Sequence, residues 1–448
     1  MDLKASYREH VEELSKRNSA ILKELASEGT EFRGIVFAAG GDLLYHADDQ
    51  PVPFKPSFHF ARWAPLNGPD HLLIFRPGEL PTLVKVVPRD YWYETPPDPE
   101  HPYMTSLCVE TVADAKAAVN AAGDLSGMAY VGPDRGTARA LGIEKEKVEP
   151  EELMARLDWD RGLKTAYEVE CIRGAVRRAA RGHAVVRSDA EQGRSERTMH
   201  AGYLAATEHL ENEVPYTNII AWNEHSAVLH YQSKQIQAPS ATLSLLVDAG
   251  ASVYGYASDI TRTYPQAAAH REFRELVNHL DLLQRELVQG VGPGRSYLEL
   301  HETAHRGVAK ILCELSILKV KPDEAFEKGL TDPFFPHGLG HHLGLQVHDV
   351  GGRQESPQGG TLSPPARHAY LRTTRAMAAG QVLTIEPGIY FIAMLLEPFR
   401  QGEHSSAFNW KLIDELLLCG GARIEDDILC TENGREDLSR GSVPGHRG

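Results

Sequence analysis

The chain has 448 residues, 42% of them hydrophobic and 24% charged, a composition typical of a soluble globular protein with two or three domains. Its formal net charge of −15 argues against a nucleic-acid-binding surface, because phosphate contacts need clustered Lys and Arg. No stretch reaches the roughly eighteen apolar residues of a membrane span, and the charged, amphipathic N-terminus lacks the apolar segment of a signal peptide. We expect a cytoplasmic protein that binds neither nucleic acid nor membrane.

The cysteines favour the same location. Cys108, Cys171, Cys313, Cys419 and Cys430 contain no CxxC pair. Their odd number and wide spacing are typical of reduced thiols in a cytosolic protein and not of a disulfide framework. We expect all five to be structural or incidental.

Helical and strand patterns alternate over the first third of the chain. Helical periodicity covers residues 5–27 and recurs at 114–121, and Pro-rich stretches at 51–54 and 95–102 predict loops. Short buried strands are predicted at Ile35–Ala38, Leu72–Phe75, Leu83–Val87 and Ala129–Val131. The pattern predicts an α/β domain over residues 1–158.

The pattern changes after a break near residues 150–165. A long amphipathic helix follows Thr165, a second helix covers about 195–211, and two strand-like stretches come next. These features open a second domain, which we assign to residues 159–448.

The remainder of the second domain is rich in Gly. Ser296 and Glu299 form a capping-box signature that opens a helix through about Leu315. From there to the end we expect mostly strand and turn. The tail from Glu432 has almost no apolar residues, so we expect it to be frayed.

Two aspartates follow apolar segments in this domain. Asp248 ends the run LSLLVD, and Asp259 lies in ASVYGYASDITRTYP, which we interpret as a second strand. The two carboxylates can meet across a hairpin, although Gly255 allows a bulge between them. By itself such a pair also fits turn formers or helix caps.

A stretch rich in histidine is more specific. PHGLGHHLGLQVHDVGG contains His337, His341, His342 and His348. Four imidazoles in a short segment punctuated by Gly indicate a functional role, because neutral imidazole is a common metal ligand and titrates near neutral pH. His342 directly follows His341 in an extended segment, so we expect it to face the opposite way and to be structural.

Two further segments end apolar strands in carboxylates. Glu386 closes VLTIE just before Pro387, and a buried carboxylate is costly unless it is paired or bound to metal. In GGARIEDDILC, alternation places Glu425 and Asp427 on one face of the strand and Asp426 on the other. Asp427 is therefore a rival to Glu425.

Five of these side chains together offer ligands for two divalent cations, and two cations with a water-derived nucleophile can hydrolyse an amide bond. The five are Asp248, Asp259, His341, Glu386 and Glu425. Residue spacing alone leaves His337 and Asp427 as alternative members.

The segments that carry these residues resemble the pita-bread metallopeptidase family. The DAG segment and Asp at 248–259, HGLGHHLGLQVHDVG at 337–351, TIEPG at 384–388 and RIED at 423–426 follow that family's order and approximate spacing. The chain is most similar to the family's Xaa-Pro dipeptidases (prolidases), which include bacterial enzymes also described as organophosphorus acid anhydrolases. The resemblance covers nearly the whole chain. It implies an α/β N-terminal domain and an α+β pita-bread (creatinase/aminopeptidase-like) catalytic domain.

The resemblance also implies a role for each metal ligand. Asp248 would chelate one ion, Asp259 and Glu425 would bridge both ions, and His341 and Glu386 would complete the second. The implied cofactor is two divalent ions per subunit, most commonly Mn²⁺, which suits a donor set made mainly of carboxylates. The charges of four carboxylates and two such ions cancel, so a bridging hydroxide leaves the cluster close to one negative charge.

Other matched positions are implied to handle the substrate. His230 and His348 would steady the scissile carbonyl and the tetrahedral intermediate, and His337 would contact the substrate. Arg372 matches an arginine that grips a free C-terminal carboxylate, a task for which guanidinium is well suited. Arg375 is its nearest competitor.

Two more positions have implied supporting roles. Arg423 would support the metal-bridging Glu425 from outside the metal shell. Tyr216 fits an aromatic that lines the pocket, although a core tyrosine fits equally well.

The implied reaction is hydrolysis of a dipeptide with C-terminal proline by the bridging hydroxide, with Glu386 moving the proton to the proline nitrogen. Hydrolysis of organophosphate esters is an expected side activity. An aminopeptidase acting on longer Xaa-Pro peptides and a non-catalytic binding module are the alternatives. The family is commonly dimeric, and the segments around Asp48-Asp49 and Phe58–Trp63 are candidates for closing the partner's site.

Overall fold

The computed structural model describes residues 3–92, 94 and 97–443. The chain divides into two compact units. The first contains Met1–Arg161, Thr165–Glu168 and Ser356–Gly360, and the second contains Gly162–Lys164, Val169–Glu355 and Thr361–Gly448. The first unit therefore includes two short segments that follow residue 158, where the sequence predicts the domain boundary.

The first unit is built on a mixed five-stranded sheet. Its strands are β1 (Ile35–Ala38), β2 (Leu72–Phe75), β3 (Thr82–Val86), β4 (Cys108–Val112) and β5 (Ala129–Val131). They lie in the order β4-β3-β2-β1-β5, with β2 antiparallel to both neighbours and the two outer pairs parallel. The helices are α1 (Leu3–Ser27), α2 (Phe58–Ala61), α3 (Tyr103–Ser106), α4 (Ala115–Ala121), α5 (Arg135–Ala140) and α6 (Glu151–Arg161), with a 3-10 turn at Lys145–Lys147.

Four helices and one strand of this unit were not predicted from the sequence, namely α2, α3, α5, α6 and β4. Strand β4 lies at the edge of the sheet, and its sequence CVETV is largely exposed or half-buried, so it lacks the buried apolar residues of a central strand. Of the predicted loop at 95–102, Thr95 and Pro96 lie outside the described residues, and Pro97–His101 belongs to no helix or strand.

The first unit encloses a buried arginine that pairs with two carboxylates. The guanidinium of Arg62 donates to Asp160 Oδ2 at 2.7 Å and to both carboxylate oxygens of Glu168 at 3.2 and 3.3 Å. Arg62 is 5% exposed and Glu168 is fully buried. A carboxylate taken out of water in this way is costly unless an opposite charge stays beside it.

The second unit contains two three-stranded sheets and several helices. Its helices are α7 (Ala166–Glu191), α8 (Glu196–Thr207), α9 (Arg271–Val288), α10 (Tyr297–Glu314), α11 (Pro322–Glu327), α12 (Ala393–Gln401) and α13 (Trp410–Leu416). Its strands are β6 (Ile219–Trp222), β7 (Ser244–Asp248), β8 (Ser252–Val253), β9 (Tyr256–Ala257), β10 (Thr261–Pro265), β13 (Val382–Ile385), β14 (Gly388–Tyr390), β15 (Gly421–Arg423), β16 (Asp426–Thr431) and β17 (Gly434–Asp437). Two short strands, β11 (Gln354–Ser356) and β12 (Gly359–Thr361), lie where the division between the units crosses the chain.

The strand registers of the second unit bring distant acidic segments together. The sheet β10-β7-β6 pairs Thr261 with Asp248, and the sheet β13-β16-β17 pairs Ile385 with Asp426. A single bridge between Thr261 and Glu425 joins the ends of these two sheets. The carboxylates at the strand ends therefore meet at one place.

The structure corrects the prediction of a single strand at ASVYGYASDITRTYP. That stretch forms the small hairpin β8–β9 followed by β10, with Tyr254 and Gly255 at positive φ in the turn. Gly255 therefore marks a hairpin turn and not a bulge, since it supplies the left-handed backbone that such a turn requires.

The stretch after Leu315 is mostly strand, turn and loop, as predicted, but it also contains the short helices α11, α12 and α13. Helix α9 was not predicted at all. The prediction of a frayed tail is wrong for the tail's described residues, because β17 pairs with β16 and both Ser439 and Val443 are buried. The buried side chains of Leu438 and Val443 and several hydrogen bonds fix this segment, for example the bond from Arg262 Nε to Val443 O at 3.0 Å. Residues 444–448 lie outside the described residues.

The described cysteines occur as thiols, with Cys108 exposed and Cys171, Cys419 and Cys430 buried. No helix in the described part of the chain is both long enough and apolar enough to span a membrane.

Substituting Arg62→Met should lower the free energy of unfolding of the first unit by about 3 to 5 kcal/mol, because it leaves the buried carboxylate of Glu168 beside an apolar side chain. The matched control is Arg33→Ala, whose ion pair with Asp124 is exposed on both sides and should contribute at most about 1 kcal/mol. Urea denaturation of the full chain measures both losses, and equal losses would contradict the assigned role of Arg62.

Candidate metal centre

Four carboxylates and one imidazole converge where the two sheets of the second unit meet. Asp248 ends β7, Asp259 lies just before β10, and Glu425 lies between β15 and β16. One ligand atom each from Asp259, His341 and Glu425 lies within 4.8 Å of those of the other two. His341 Nε2 is 3.4 Å from Asp259 Oδ2 and 3.6 Å from an oxygen of Glu386.

The segment before His342 runs alongside β13 and positions His341 beside Glu386. The amide of Thr384 donates to His341 O at 2.9 Å, and the amide of His341 donates to the side-chain Oγ1 of Thr384 at 3.1 Å. The amide of Glu386 donates to Leu339 O at 2.8 Å. Gly340 lies at the closest approach, where a Cβ atom would stand 2.2 Å from Thr384 O. Gly340 is therefore required, because a side chain at this position would prevent the close backbone approach that positions the imidazole of His341.

The imidazole of His341 has a defined orientation. Its Nδ1 donates to the carbonyl oxygen of His342 at 3.0 Å, which leaves Nε2 facing the carboxylates. Burial alone would lower the pKa of His341, but its contacts with Asp259 and Glu386 outweigh burial and raise it.

Arg423 connects the remaining carboxylates. Its guanidinium donates to Asp248 Oδ2, and its Nε lies 3.8 Å from Glu425 Oε2 and 3.9 Å from Glu386 Oε2. The same Nε donates to Thr261 Oγ1 at 3.1 Å, and Thr261 Oγ1 donates to Glu425 Oε2 at 2.6 Å. Arg423 therefore orients the carboxylates from one side of the cluster.

The donor set and its burial fit divalent cations. Burial raises the pKa of Asp248 to about 6 and that of Glu386 to about 7, and it raises the pKa of Glu425 well above its ordinary value, with repulsion from neighbouring carboxylates adding to each. Asp248 Oδ1 is buried and accepts no hydrogen bond from the described residues. A cluster of buried, mutually repelling carboxylates with an unsatisfied oxygen is suited to a metal ion.

Asp427, the rival to Glu425, supports the site from behind. Its carboxylate oxygens accept the backbone N–H of Asp259 at 3.2 and 3.3 Å, and its side chain is fully buried. Asp426 faces another way, where it pairs with Arg262 at 2.7 Å. The structure thus brings Glu425 to the other ligands and gives Asp427 a contact with the backbone.

His342 has the structural role that was expected of it. It is 1% exposed, and its Nδ1 donates to Val350 O at 3.0 Å, which ties together the two ends of the histidine-rich segment.

His337 lies at the border of the carboxylate cluster. Its Nδ1 donates to Gly338 O at 2.8 Å and is 3.8 Å from Glu386 Oε2, and its Nε2 accepts from Tyr390 Oη at 2.9 Å. Tyr390 Oη in turn accepts from Arg423 Nη1 at 2.8 Å. Burial lowers the pKa of His337 to about 3, so this imidazole is neutral.

His348 and His230 lie on the open side of the site. The ring of His348 meets that of His341 edge-on, with 4.4 Å between ring centres, and burial together with His341 lowers the pKa of His348 to about 3. His230 is exposed, and its charge contributes to the lowered pKa of both His337 and His348, which places it near them.

Tyr216 makes a direct contact with a metal-ligand candidate. Its hydroxyl donates to Asp259 Oδ1 at 2.6 Å, and burial raises the pKa of Tyr216 well above its ordinary value. The hydroxyl is therefore protonated and acts as a donor at neutral pH.

The two candidate arginines differ in position. Arg372 is exposed, and its charge contributes to the lowered pKa of His348, which places it in the neighbourhood of that imidazole. Arg375 is 3% exposed, Nη1 lies 3.4 Å from Gly351 O, and burial lowers its pKa to about 10. Of the two arginines, Arg372 is the one with an exposed side chain.

Sequence reasoning missed two supporting residues, Thr261 and Tyr390. Thr261 follows Asp259 by two positions, so the alternation of a strand places it on the same face, a signal that was available. Tyr390 carries no such signal, because its hydroxyl reaches Arg423 and His337 only through the pairing of β14 with β15.

With this geometry in view, two family profiles match the chain. The profile described as Metallopeptidase family M24 matches residues 170–432, and the profile described as Xaa-Pro dipeptidase, N-terminal domain, matches residues 5–159. The chain belongs to metallopeptidase family M24 and is a metal-dependent peptidase. The non-catalytic binding module is therefore set aside.

Curated relatives are named more specifically. A protein of Pseudoalteromonas atlantica named Xaa-Pro dipeptidase is 38% identical over 438 residues, which is 97% of each chain. A protein of Serratia proteamaculans with the same name is 39% identical over 441 residues, or 98% of each chain.

Solved structures show the same fold. Aminopeptidase P from E. coli has a TM-score of 0.73 at 21% identity, covering 98% of this chain and 96% of its own. An aminopeptidase from Pseudomonas aeruginosa has a TM-score of 0.71 at 21% identity, with 97% and 95% covered. The predicted fold class, an α/β N-terminal domain with a pita-bread catalytic domain, is confirmed.

Metal binding should release more protons in acid than in mild alkali. A ligand must lose its proton to bind metal, and the raised pKa values of Asp248 and Glu386 leave both carboxyls partly protonated at about pH 6 and far less so at about pH 8.5. Apparent affinity for Mn²⁺ should therefore fall as pH falls through this window. Calorimetry in buffers of different ionisation enthalpy counts the released protons, and an equal count at both pH values would contradict this electrostatic description.

Proposed function

We propose that this chain is an Xaa-Pro dipeptidase that uses two Mn²⁺ ions, held by Asp248, Asp259, His341, Glu386 and Glu425. The observation that carries the proposal is the convergence of these five donors in one buried cluster, with an unsatisfied oxygen on Asp248. The name of the full-length relatives supports the choice of substrate.

In the proposed assignment, Asp248 would hold one ion, His341 and Glu386 would hold the other, and Asp259 and Glu425 would be shared by both. When bound, the two ions would polarise the scissile carbonyl and supply a bridging hydroxide as nucleophile. Arg423 and Thr261 would keep the carboxylate of Glu425 in place, since both contact it from outside the ligand shell.

Glu386 would carry the proton from the attacking water to the proline nitrogen. Its carboxylate lies 3.6 Å from His341 Nε2 and 3.8 Å from Nδ1 of His337, one of the histidines proposed to contact the substrate. When the C–N bond of the tetrahedral intermediate breaks, the proline nitrogen must gain a proton, so that proline leaves as a neutral secondary amine and not as an amide anion.

The neighbouring histidines and Arg372 would bind the two ends of the substrate. His230, His337 and His348 would contact the scissile carbonyl and the tetrahedral intermediate, and Tyr216 would line the pocket while donating to Asp259. The exposed guanidinium of Arg372 would bind the C-terminal carboxylate of proline. A grip one residue beyond the scissile bond restricts the substrate to dipeptides.

The remaining parts of the proposal concern the setting of the enzyme. We propose that it acts in the cytoplasm as a homodimer in which the N-terminal domain, residues 1–158, helps to close the partner's site. Organophosphate esters would be slow side substrates, because tetrahedral phosphorus resembles the tetrahedral intermediate of amide hydrolysis.

A panel of peptides tests the substrate assignment. With Mn²⁺, we expect hydrolysis of Gly-Pro and a far lower kcat/KM for a tripeptide that continues beyond proline and for the amide of Gly-Pro. Arg372→Ala should lower kcat/KM for Gly-Pro by about 10- to 100-fold, equivalent to about 1.5 to 3 kcal/mol for a charge-assisted hydrogen bond, and should leave the amide unaffected. Preferential cleavage of the tripeptide would make the enzyme an Xaa-Pro aminopeptidase instead.

Replacing Glu386 by Gln keeps an oxygen donor but removes the group that carries the proton. Turnover of Gly-Pro should fall by at least about 100-fold, the scale of general acid–base catalysis, while binding of the dipeptide partly survives. Steady-state rates and calorimetric binding separate the two effects. Glu224→Gln, an exposed glutamate in the 3-10 turn after β6, serves as the control. Full activity of the Glu386 variant would contradict the role assigned to it.

A further inference from the structure

A second group of possible metal ligands lies in the same unit, on helix α10. The sequence His301-Glu-Thr-Ala-His305 is an HExxH pattern, and positions four apart lie on the same face of a helix. On a helix this pattern is known for two imidazoles that bind one zinc ion.

A third histidine completes the group. His368, in the 3-10 turn Ala366–His368, offers a ring nitrogen within 4.8 Å of those of His301 and His305. The ring centre of His301 lies 4.8 Å from that of His305 and 4.4 Å from that of His368. Three ring nitrogens bound to one tetrahedral ion lie about 3.4 Å apart, so small ring rotations would complete the site.

The hydrogen bonds of these rings leave nitrogens for a metal. His305 Nδ1 contacts Thr331 Oγ1 at 3.0 Å, which fixes the ring in the way that a second-shell partner fixes a metal ligand. His301 Nδ1 is buried and has no hydrogen-bond partner among the described residues. The exposures of His301, His305 and His368 are 1%, 2% and 7%, so water does not compensate for this nitrogen.

The surrounding charges tolerate a cation. Burial lowers the pKa of all three imidazoles, so each is neutral at pH 7, as a metal ligand must be. Arg367 is the positive charge nearby, and its guanidinium is paired with Asp332 at 2.8 Å. Glu302 adds a negative charge near His368.

We propose that His301, His305 and His368 form a third metal site, separate from the dimetal centre, which binds Zn²⁺ through three neutral imidazoles and one water. Three nitrogen donors without a carboxylate favour zinc over the hard Mn²⁺ ion. Because the three ligands are buried, the bound ion would not contact a peptide substrate. It anchors the segment from Ala366 to Arg372 to helix α10.

An ion bound at His368 would also affect substrate binding, and this effect rests on the proposed function. Arg372 follows His368 by four residues, so an ion that fixes His368 also restricts where the guanidinium of Arg372 can lie. The proposal of the metal site does not depend on this effect, and its test measures metal content instead of activity.

The test first removes the competing centre. In the double variant Asp259→Asn/Glu425→Gln, both proposed bridging ligands are lost, and we expect one Zn²⁺ per chain by elemental analysis after equilibration with Zn²⁺ and gel filtration. Adding His368→Gln should reduce this to none. Adding His200→Gln, a histidine of similar burial that pairs with Glu211, should leave one. Zinc should raise the Tm of the first and third proteins only.

Absence of zinc from the double variant, or an equal zinc content with and without His368, would overturn the proposal. These results do not depend on peptide hydrolysis, so a failure of the dipeptidase assignment remains distinguishable. Should the variants fail to fold, crystals of the unmodified protein equilibrated with Zn²⁺ decide the matter. An anomalous peak about 2.1 Å from the three ring nitrogens confirms the site, and its absence in crystals with an occupied dimetal centre rejects it.

Discussion

The second unit depends on one electrostatic constraint, which is the burial of four mutually repelling carboxylates at the ends of strands. Asp248, Asp259, Glu386 and Glu425 come from separate segments, and their charges oppose the packing of those segments. Arg423 offsets part of the repulsion, and the hydroxyls of Thr261 and Tyr216 satisfy individual oxygens. The remaining negative charge is what makes the cluster suitable for two divalent cations. The fold is thus adapted to bind metal at some cost to its own stability in the metal-free state.

The sheets convert this constraint into defined geometry. The bridge between Thr261 and Glu425 joins the two strand systems, and the histidine-rich segment follows β13 closely enough to require Gly340. Around the cluster, polar contacts continue outward from Arg423 through Tyr390 to His337. The side chains proposed to hold metal and those proposed to hold substrate are therefore connected, and a change in Arg423 would disturb both.

The sequence alone predicted some strands and site residues and missed others, depending on how clearly residue type and spacing mark them. Buried strands such as β1, β2 and β5 could be predicted because their apolar runs are short and bounded by turns, and the fold class followed from motif resemblance. Edge strand β4 and the tail around β17 could not, since neither has a continuous run of buried apolar residues. For the site, residue types and spacing found the acidic and histidine candidates but left Glu425 and Asp427 equivalent. The structure separates them, because only register shows that Asp427 faces the backbone of Asp259.

The central claim is that two metal ions held by this cluster are needed for peptide hydrolysis. The most direct test is to titrate the metal-depleted, full-length protein with Mn²⁺ while following both bound metal and hydrolysis of Gly-Pro. Activity should reach its plateau only when the dimetal centre holds two Mn²⁺ per chain, and Asp259→Asn should prevent the second ion from binding. Full activity without added metal, or a plateau with a single ion in the cluster, would contradict this claim.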